Sequence, residues 1–192
     1  MGKSNRNGQA ATLTPEQLDA LAEALGPSAR AVFSLSRYTA ARVTEALSLR
    51  WENVTESEIV IPKNVTKKKI QTRCIPTNPR LWAELMDWKC HLGKVHGRQP
   101  DKTEFVFPNA RDPTKHMCRQ AIDKALRGAC AELGVTGAST HSLRRSALTA
   151  AFDKGVPLRV LQSISGHSSL EMLQRYLDVK DEAKRAAAMA FA

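Results

Sequence analysis

A chain of 192 residues fits one medium domain and is long enough to bury most of its apolar surface. Its hydrophobic residues, 42% of the total, fall in short periodic runs, so no stretch of the roughly twenty apolar residues needed to cross a bilayer is present, nor any secretory leader. Twenty-nine Lys and Arg against nineteen Asp and Glu leave a net charge of +10, which favours a polyanionic partner, nucleic acid ahead of an anionic membrane surface, and a cytoplasmic setting.

Residues 1–12 are polar, basic and aperiodic and are expected to form a flexible arm. The segment "TPEQLDALAEAL" then opens a helix, with Thr14 as N-cap, Pro15 at the first helical position and Gln17 closing a capping box. From Ser28 to Trp51 the period predicts two helices meeting near Thr39 to Arg42, with Val43, Ala46, Leu47 and Trp51 on the second apolar stripe. β-Branched residues and alternation over "EIVIPKNVTKKKIQTRCIPTN" predict a small antiparallel sheet with Lys67, Lys68 and Lys69 at the hairpin tip.

A helix over "NPRLWAELMDWKCHLG" and a Gly/Pro-rich loop follow. A long amphipathic helix is then expected from about Lys115 to Leu133, burying Cys118, Ile122, Ala125, Leu126, Ala129 and Leu133. Three shorter helices, separated by "KGVP" and "SGHSS", and an Ala-rich tail complete the chain. The fold class is therefore α+β and mainly α-helical. Cysteines 74, 90, 118 and 130 form no C-x-x-C pair and read as reduced thiols, and His116 with Cys118 is a weak metal pattern, so no metal is expected.

Chemistry concentrates in three stretches. "STHSLRRSALTAAF" puts His141 in a first helical turn with Arg144 one turn on, an arrangement suited to an anion at a helix start, or to a solvated basic surface. "YTAARVTEALSLRW" puts Arg42 at another helix start with Glu45 placed to brace its guanidinium. Ahead of "SGHSSLEMLQRYLDV" a helix is expected to bury Val160, Leu161 and Ile164; Gly166 stops it with His167 just beyond, and Ser168 to Glu171 cap the next. Leu170, Leu173 and Leu177 set that helix's stripe, and Tyr176 falls at its edge, where a rim aromatic and a presented hydroxyl are both open readings.

Together these boxes resemble the catalytic domain of the tyrosine recombinases, the phage integrase family, from about Leu13 to Val179. "TAARVTEALSLRW" is similar to the family's first arginine box, "HSLRR" to its second and "SGHSSLEMLQRY" to its nucleophile box. Twenty-three residues separate Arg144 from His167 and nine separate His167 from Tyr176, the family's spacing without insertion. The resemblance implies that Arg42 and Arg144 clamp the scissile phosphate, with Glu45 in support. It implies that His141 and His167 bond that phosphate and assist proton transfer, and that Tyr176 is the nucleophile. Lys67 is the implied general acid, but the hairpin is about one residue longer than the family's register, so Lys68 or Lys69 competes for the role. Lys68, Lys69, Arg73 and Arg145 are expected to contact DNA.

The implied activity is site-specific cutting and rejoining of double-stranded DNA through a 3′-phosphotyrosine, by a homo-tetramer on two DNA sites, with accessory DNA-bending proteins as candidate partners and a nucleoid location in a bacterium. No cofactor is needed, because a phenoxide leaves readily enough for religation to run without external energy. Rival readings are a type IB topoisomerase and a non-catalytic DNA-binding protein of the same fold. The expected organisation is a catalytic domain over 13–180 and a C-terminal helical tail over 181–192, without the family's separate N-terminal core-binding domain. Ala41 where the family usually has glycine, and "EMLQRY" in place of paired threonines, are the local departures.

Overall fold

The computed structural model describes residues 10–66, 71–174 and 177, together with 185, 188 and 189. In chain order the elements are α1 (Pro15–Ala24), α2 (Pro27–Thr39), α3 (Val43–Leu47), β1 (Glu58–Ile61), β2 (Arg73–Pro76), α4 (Pro79–His96), α5 (Arg119–Glu132), α6 (Thr140–Asp153), α7 (Leu158–Ser165) and α8 (Leu170–Gln174). The predicted capping box is present at α1: Gln17 donates its N–H to Thr14 Oγ1 at 3.2 Å, and Thr14 donates its own to Gln17 Oε1 at 3.0 Å. Two of the orphan donors at the helix start are thereby satisfied.

Helix α2 is the central strut, packed against α1, α3, α4, α5 and α6. It is buried on most sides, small polar Ser34, Ser36 and Thr39 included, and Ala31, Val32, Phe33 and Leu35 are wholly buried. Strands β1 and β2 pair antiparallel, with Ile59 opposite Ile75 and Ile61 opposite Arg73. Side chains alternate across a strand, so Ile59, Ile61, Ile75 and Arg73 all face inward.

Two apolar cores result. The larger draws on α1 to α5, the sheet and Leu143 of α6. The smaller is built on Ala40, Leu148, Leu161, Leu173 and Leu177. Helix α6 serves both, giving Leu143 to the first and Leu148 to the second.

Four expectations change. The helix expected from Lys115 starts only at Arg119, because Met117 spends its N–H on Phe107 O at 2.7 Å beside a Pro108–His116 bridge. Cys118 is consequently an exposed N-cap, and Leu133 is exposed beyond the helix end. Val160 falls outside the face of α7 covered by α6, α8 and β2, and is exposed. Residues 10–12, expected in a flexible arm, are docked: Ala11 N–H donates to Gly137 O at 3.1 Å, and Thr12 Oγ1 accepts from Arg145 Nε at 2.9 Å. Most of the expected tail lies outside the described residues.

Candidate active site

Arg144 is the largest fully buried side chain of the molecule. Ser139 caps α6, with its own N–H held by Ser142 Oγ at 3.0 Å, and Arg144 follows in the second turn. Its guanidinium ties two chain ends together, donating through Nη1 to Ala40 O at 2.6 Å and through Nη2 to Ser165 O at 2.7 Å. Ala40, just past α2, takes a left-handed φ of 52°, which turns the chain out of the helix. A non-glycine residue in that region is strained by about 1 kcal/mol or more, so the surrounding contacts must hold it there.

Gly166 terminates α7 with φ 68° and donates its N–H to Gln162 O at 2.8 Å, the expected glycine stop. The turn delivers His167 into the interior beside Arg144, whose Nη2 lies 3.2 Å from Nε2 and 3.3 Å from Nδ1 of the ring. A guanidinium only donates, so the imidazole beside it must accept and is neutral. Ser165 Oγ stands 2.8 Å from Nδ1 and 3.5 Å from Gln162 O, which holds the ring against Arg144. Burial, and then the charges of Arg144, Arg42 and Arg73, push His167 down to about 3 against the opposing pull of Glu45.

Arg42 is the residue before α3, and the predicted brace is present. Glu45 accepts from Arg42 Nη1 through Oε1 at 2.9 Å and from the Arg42 backbone N–H through Oε2 at 3.0 Å. Oε2 also takes Nη2 of Arg73 at 2.5 Å. Burial acts to raise the Glu45 carboxyl, but the Arg73 charge, the Arg42 N–H and the Arg42 charge outweigh it and hold the group below its ordinary value. Arg42, Val65, Arg119, His141 and Arg144 line one cleft of about 370 Å³. Its floor is cationic, and Val65 borders it from the segment that leads to Lys67.

Of the residues singled out in the sequence, Arg42, His141 and Arg144 thus share one cleft, and His167 lies against Arg144. Lys67, Lys68, Lys69 and Tyr176 lie outside the described residues. Arg73 and Arg145, expected at the DNA surface, are corrected: they are 4% and 5% exposed. Arg73 shares the inward strand face of Ile75, and Arg145 packs toward the N-terminal segment. Period-two alternation already carried the Arg73 signal, since only the opposite face of β2 reaches solvent.

Three contributors had no expected role. Ser165 orients the imidazole, the Ala40 carbonyl anchors Arg144, and Arg119, at the first turn of α5, reaches the cleft while pairing with Asp123 at 3.2 Å. Ser165 was legible as the small residue beside the Gly-His turn; the other two depend on tertiary packing. His116 bonds the Met117 carbonyl and meets the Phe105 ring edge-on. Among the described residues no cluster of His, Cys, Asp or Glu gathers as a metal site, and no helix is long and apolar enough to cross a membrane.

A mainly helical domain with a two-stranded sheet encloses an arginine–histidine cleft. The model of the phage integrase family matches residues 11–183, and the chain belongs to that family. It is 29% identical over 181 residues to tyrosine recombinase XerD of Lacticaseibacillus casei, covering 90% of this chain and 59% of the relative. To tyrosine recombinase XerD of Vibrio vulnificus it is 30% identical over 180 residues, covering 88% of this chain and 57% of the relative. The chain therefore spans about three fifths of the length of these relatives.

The fold matches the crystal structure of XerA recombinase with a TM-score of 0.77 at 22% identity, over 96% of this chain and 66% of that one. It also matches the catalytic domain of bacteriophage HP1 integrase with a TM-score of 0.64 at 22% identity, over 88% of this chain and 87% of that one. A third neighbour is XerH site-specific recombinase bound to a palindromic difH substrate, with a TM-score of 0.75 at 19% identity, over 98% of this chain and 56% of that one.

Proposed function

We propose that this chain carries the catalytic domain of a site-specific DNA recombinase that cuts and rejoins double-stranded DNA through a 3′-phosphotyrosine. The observation that carries the reading is the opening of Arg42, His141 and Arg144 on one cleft, with His167 held neutral behind Arg144. Two guanidiniums are suited to a phosphodiester because charge gathers on its non-bridging oxygens as an oxygen nucleophile adds. The neutral His167 adds a hydrogen-bonding group beside Arg144 without further charge.

In the proposed step the Tyr176 oxygen attacks phosphorus and gives up its proton with assistance from His141. The bond to the 5′-oxygen breaks, and that oxygen takes a proton from Lys67 or its neighbours Lys68 and Lys69. A 5′-hydroxyl from a second strand reverses these events and frees the tyrosine. The Tn1549 transposon integrase, a structural neighbour with a TM-score of 0.75 at 16% identity, is described as in complex with a circular intermediate DNA, which supports DNA as the partner. A tetramer on two sites, accessory DNA-bending proteins and a cytoplasmic, nucleoid-associated setting belong to the same proposal by family likeness.

The test is a nicked duplex from which the cleaved end diffuses away, carrying the element's own recombination site. Wild-type protein is expected to accumulate a denaturation-resistant protein–DNA adduct, and Tyr176→Phe to form none. An undiminished adduct in that variant would falsify the assignment. Relaxation of supercoiled plasmid without strand exchange would instead indicate a topoisomerase.

A further inference from the structure

Arg73 is a guanidinium without access to solvent or to the cleft lining, and its position is determined on three sides. Nη2 donates to Glu45 at 2.5 Å, and Nη1 donates to Ile164 O at 2.8 Å, one residue before the end of α7. Its shaft crosses the next turn so closely that a Cβ at Gly166 would stand 3.0 Å from Cδ and Nε and 3.2 Å from Cζ. Gly166 is thus required both by its positive φ and by the guanidinium passing over it. One side chain links β2, the α3 start that carries Arg42, and the turn that carries His167.

Charge counting indicates what this link does. Glu45 is itself buried, and with Arg42 as its sole partner the two would form a neutral pair. Arg73 supplies a second cation to the same carboxylate, so the Arg42–Glu45–Arg73 group carries a net positive charge where the pair alone would carry none. A phosphodiester carries one negative charge at rest and approaches two as the fifth oxygen adds. A net positive charge beside the phosphate therefore acts more strongly on the transition state than on the bound substrate, which is the condition for raising rate and not merely affinity.

We propose that Arg73 is a positioning residue for strand cleavage: by sharing Glu45 it leaves the charge of Arg42 available to the phosphate while tying the hairpin to the His167 turn. The inference rests on the recombinase reading above. Arg73 does not touch DNA in this account, and its influence passes through Glu45 and the α7 turn.

The experiment measures the rate of adduct formation at saturating nicked DNA in wild type, Arg73→Lys, Arg73→Gln, Glu45→Gln and the Arg73→Gln/Glu45→Gln double variant. Arg73→Gln is expected to slow cleavage roughly tenfold or more, and Arg73→Lys to stay within about threefold, since it keeps the charge and loses the fork. The double variant is expected to cleave faster than Arg73→Gln, because removing the unshared carboxylate releases Arg42.

A purely structural role predicts the opposite, a double variant slower than either single one, and that result overturns the inference. Should Arg73→Gln fail to fold by circular dichroism, Arg73→Lys decides: near-normal rate supports the inference, and a tenfold loss in a folded protein overturns it. A wild type that forms no adduct overturns the recombinase reading and this inference with it. An active wild type with a fully active Arg73→Gln overturns the inference alone.

Discussion

The larger core gathers side chains from six helices and both strands, whereas the smaller rests on five buried residues, Ala40, Leu148, Leu161, Leu173 and Leu177. The two carry different parts of the site. Arg42, Glu45 and Arg73 are held by the large core, while His167 and the chain leading to Tyr176 depend on the small one. Arg144 spans them through the carbonyls of Ala40 and Ser165. A small core can open at lower free energy than the whole domain. On the proposed function, the half that would hold the phosphate rests on the larger core, and the half that leads to the proposed nucleophile rests on the smaller one, which opens at lower cost.

The largest expected effect comes from removing the element that joins the halves. Arg144→Ala should reduce adduct formation at saturating DNA by about 10²- to 10³-fold, the usual loss when one donor to a developing oxyanion is deleted. A loss under tenfold would mean that the joined geometry is not what stabilises the reaction.

Next in size, Leu173→Ala removes a wholly buried side chain from the small core and should cost about 2–5 kcal/mol. Hydrogen exchange should show that loss in α7 and α8 while α2 keeps its protection. Leu35→Ala, in the large core, should lower protection throughout. Equal loss everywhere from both variants would erase the distinction between the cores.

Acid should act through His167. Its native pKa is depressed to about 3, so the unfolded chain binds a proton near pH 6.5 that the native state refuses. Stability then falls as pH drops from about 6.5 toward 3, by up to about 1.4 kcal/mol per unit, and is insensitive to this group above that window. Glu45, depressed from its ordinary value, adds stability that is present above its unfolded pKa and lost as pH falls through its folded one, so it steepens the lower end of the decline. Denaturant titrations of wild type and His167→Gln across pH 4–7 should show the upper part of the slope in wild type alone.

The smallest effect serves as control. Thr14→Ala deletes the α1 cap far from the cleft and should cost about 1 kcal/mol with the adduct rate unchanged.

How far the site was legible in the sequence follows from which interactions are local. The Thr14 box, the helix break at residues 40–42, the Glu45 brace on Arg42 and the Gly166 turn all depend on neighbours within four residues, and each formed where the pattern placed it. The start of α5 was misplaced because Met117 bonds across to Phe107, a partner that no helical period encodes. Arg73 and Arg145, expected to contact DNA, are buried, and strand alternation places Arg73 on the inward face of β2. The Ala40 and Ser165 carbonyls that hold Arg144 come from segments far apart in the chain, and only packing brings them together.

The most direct measurement is to trap the adduct on nicked duplex carrying the site, digest the protein and identify the linked residue by mass spectrometry. The account predicts a 3′-phosphonucleotide on Tyr176, nine residues beyond His167. Attachment at another residue, or through a 5′-phosphate, would contradict it.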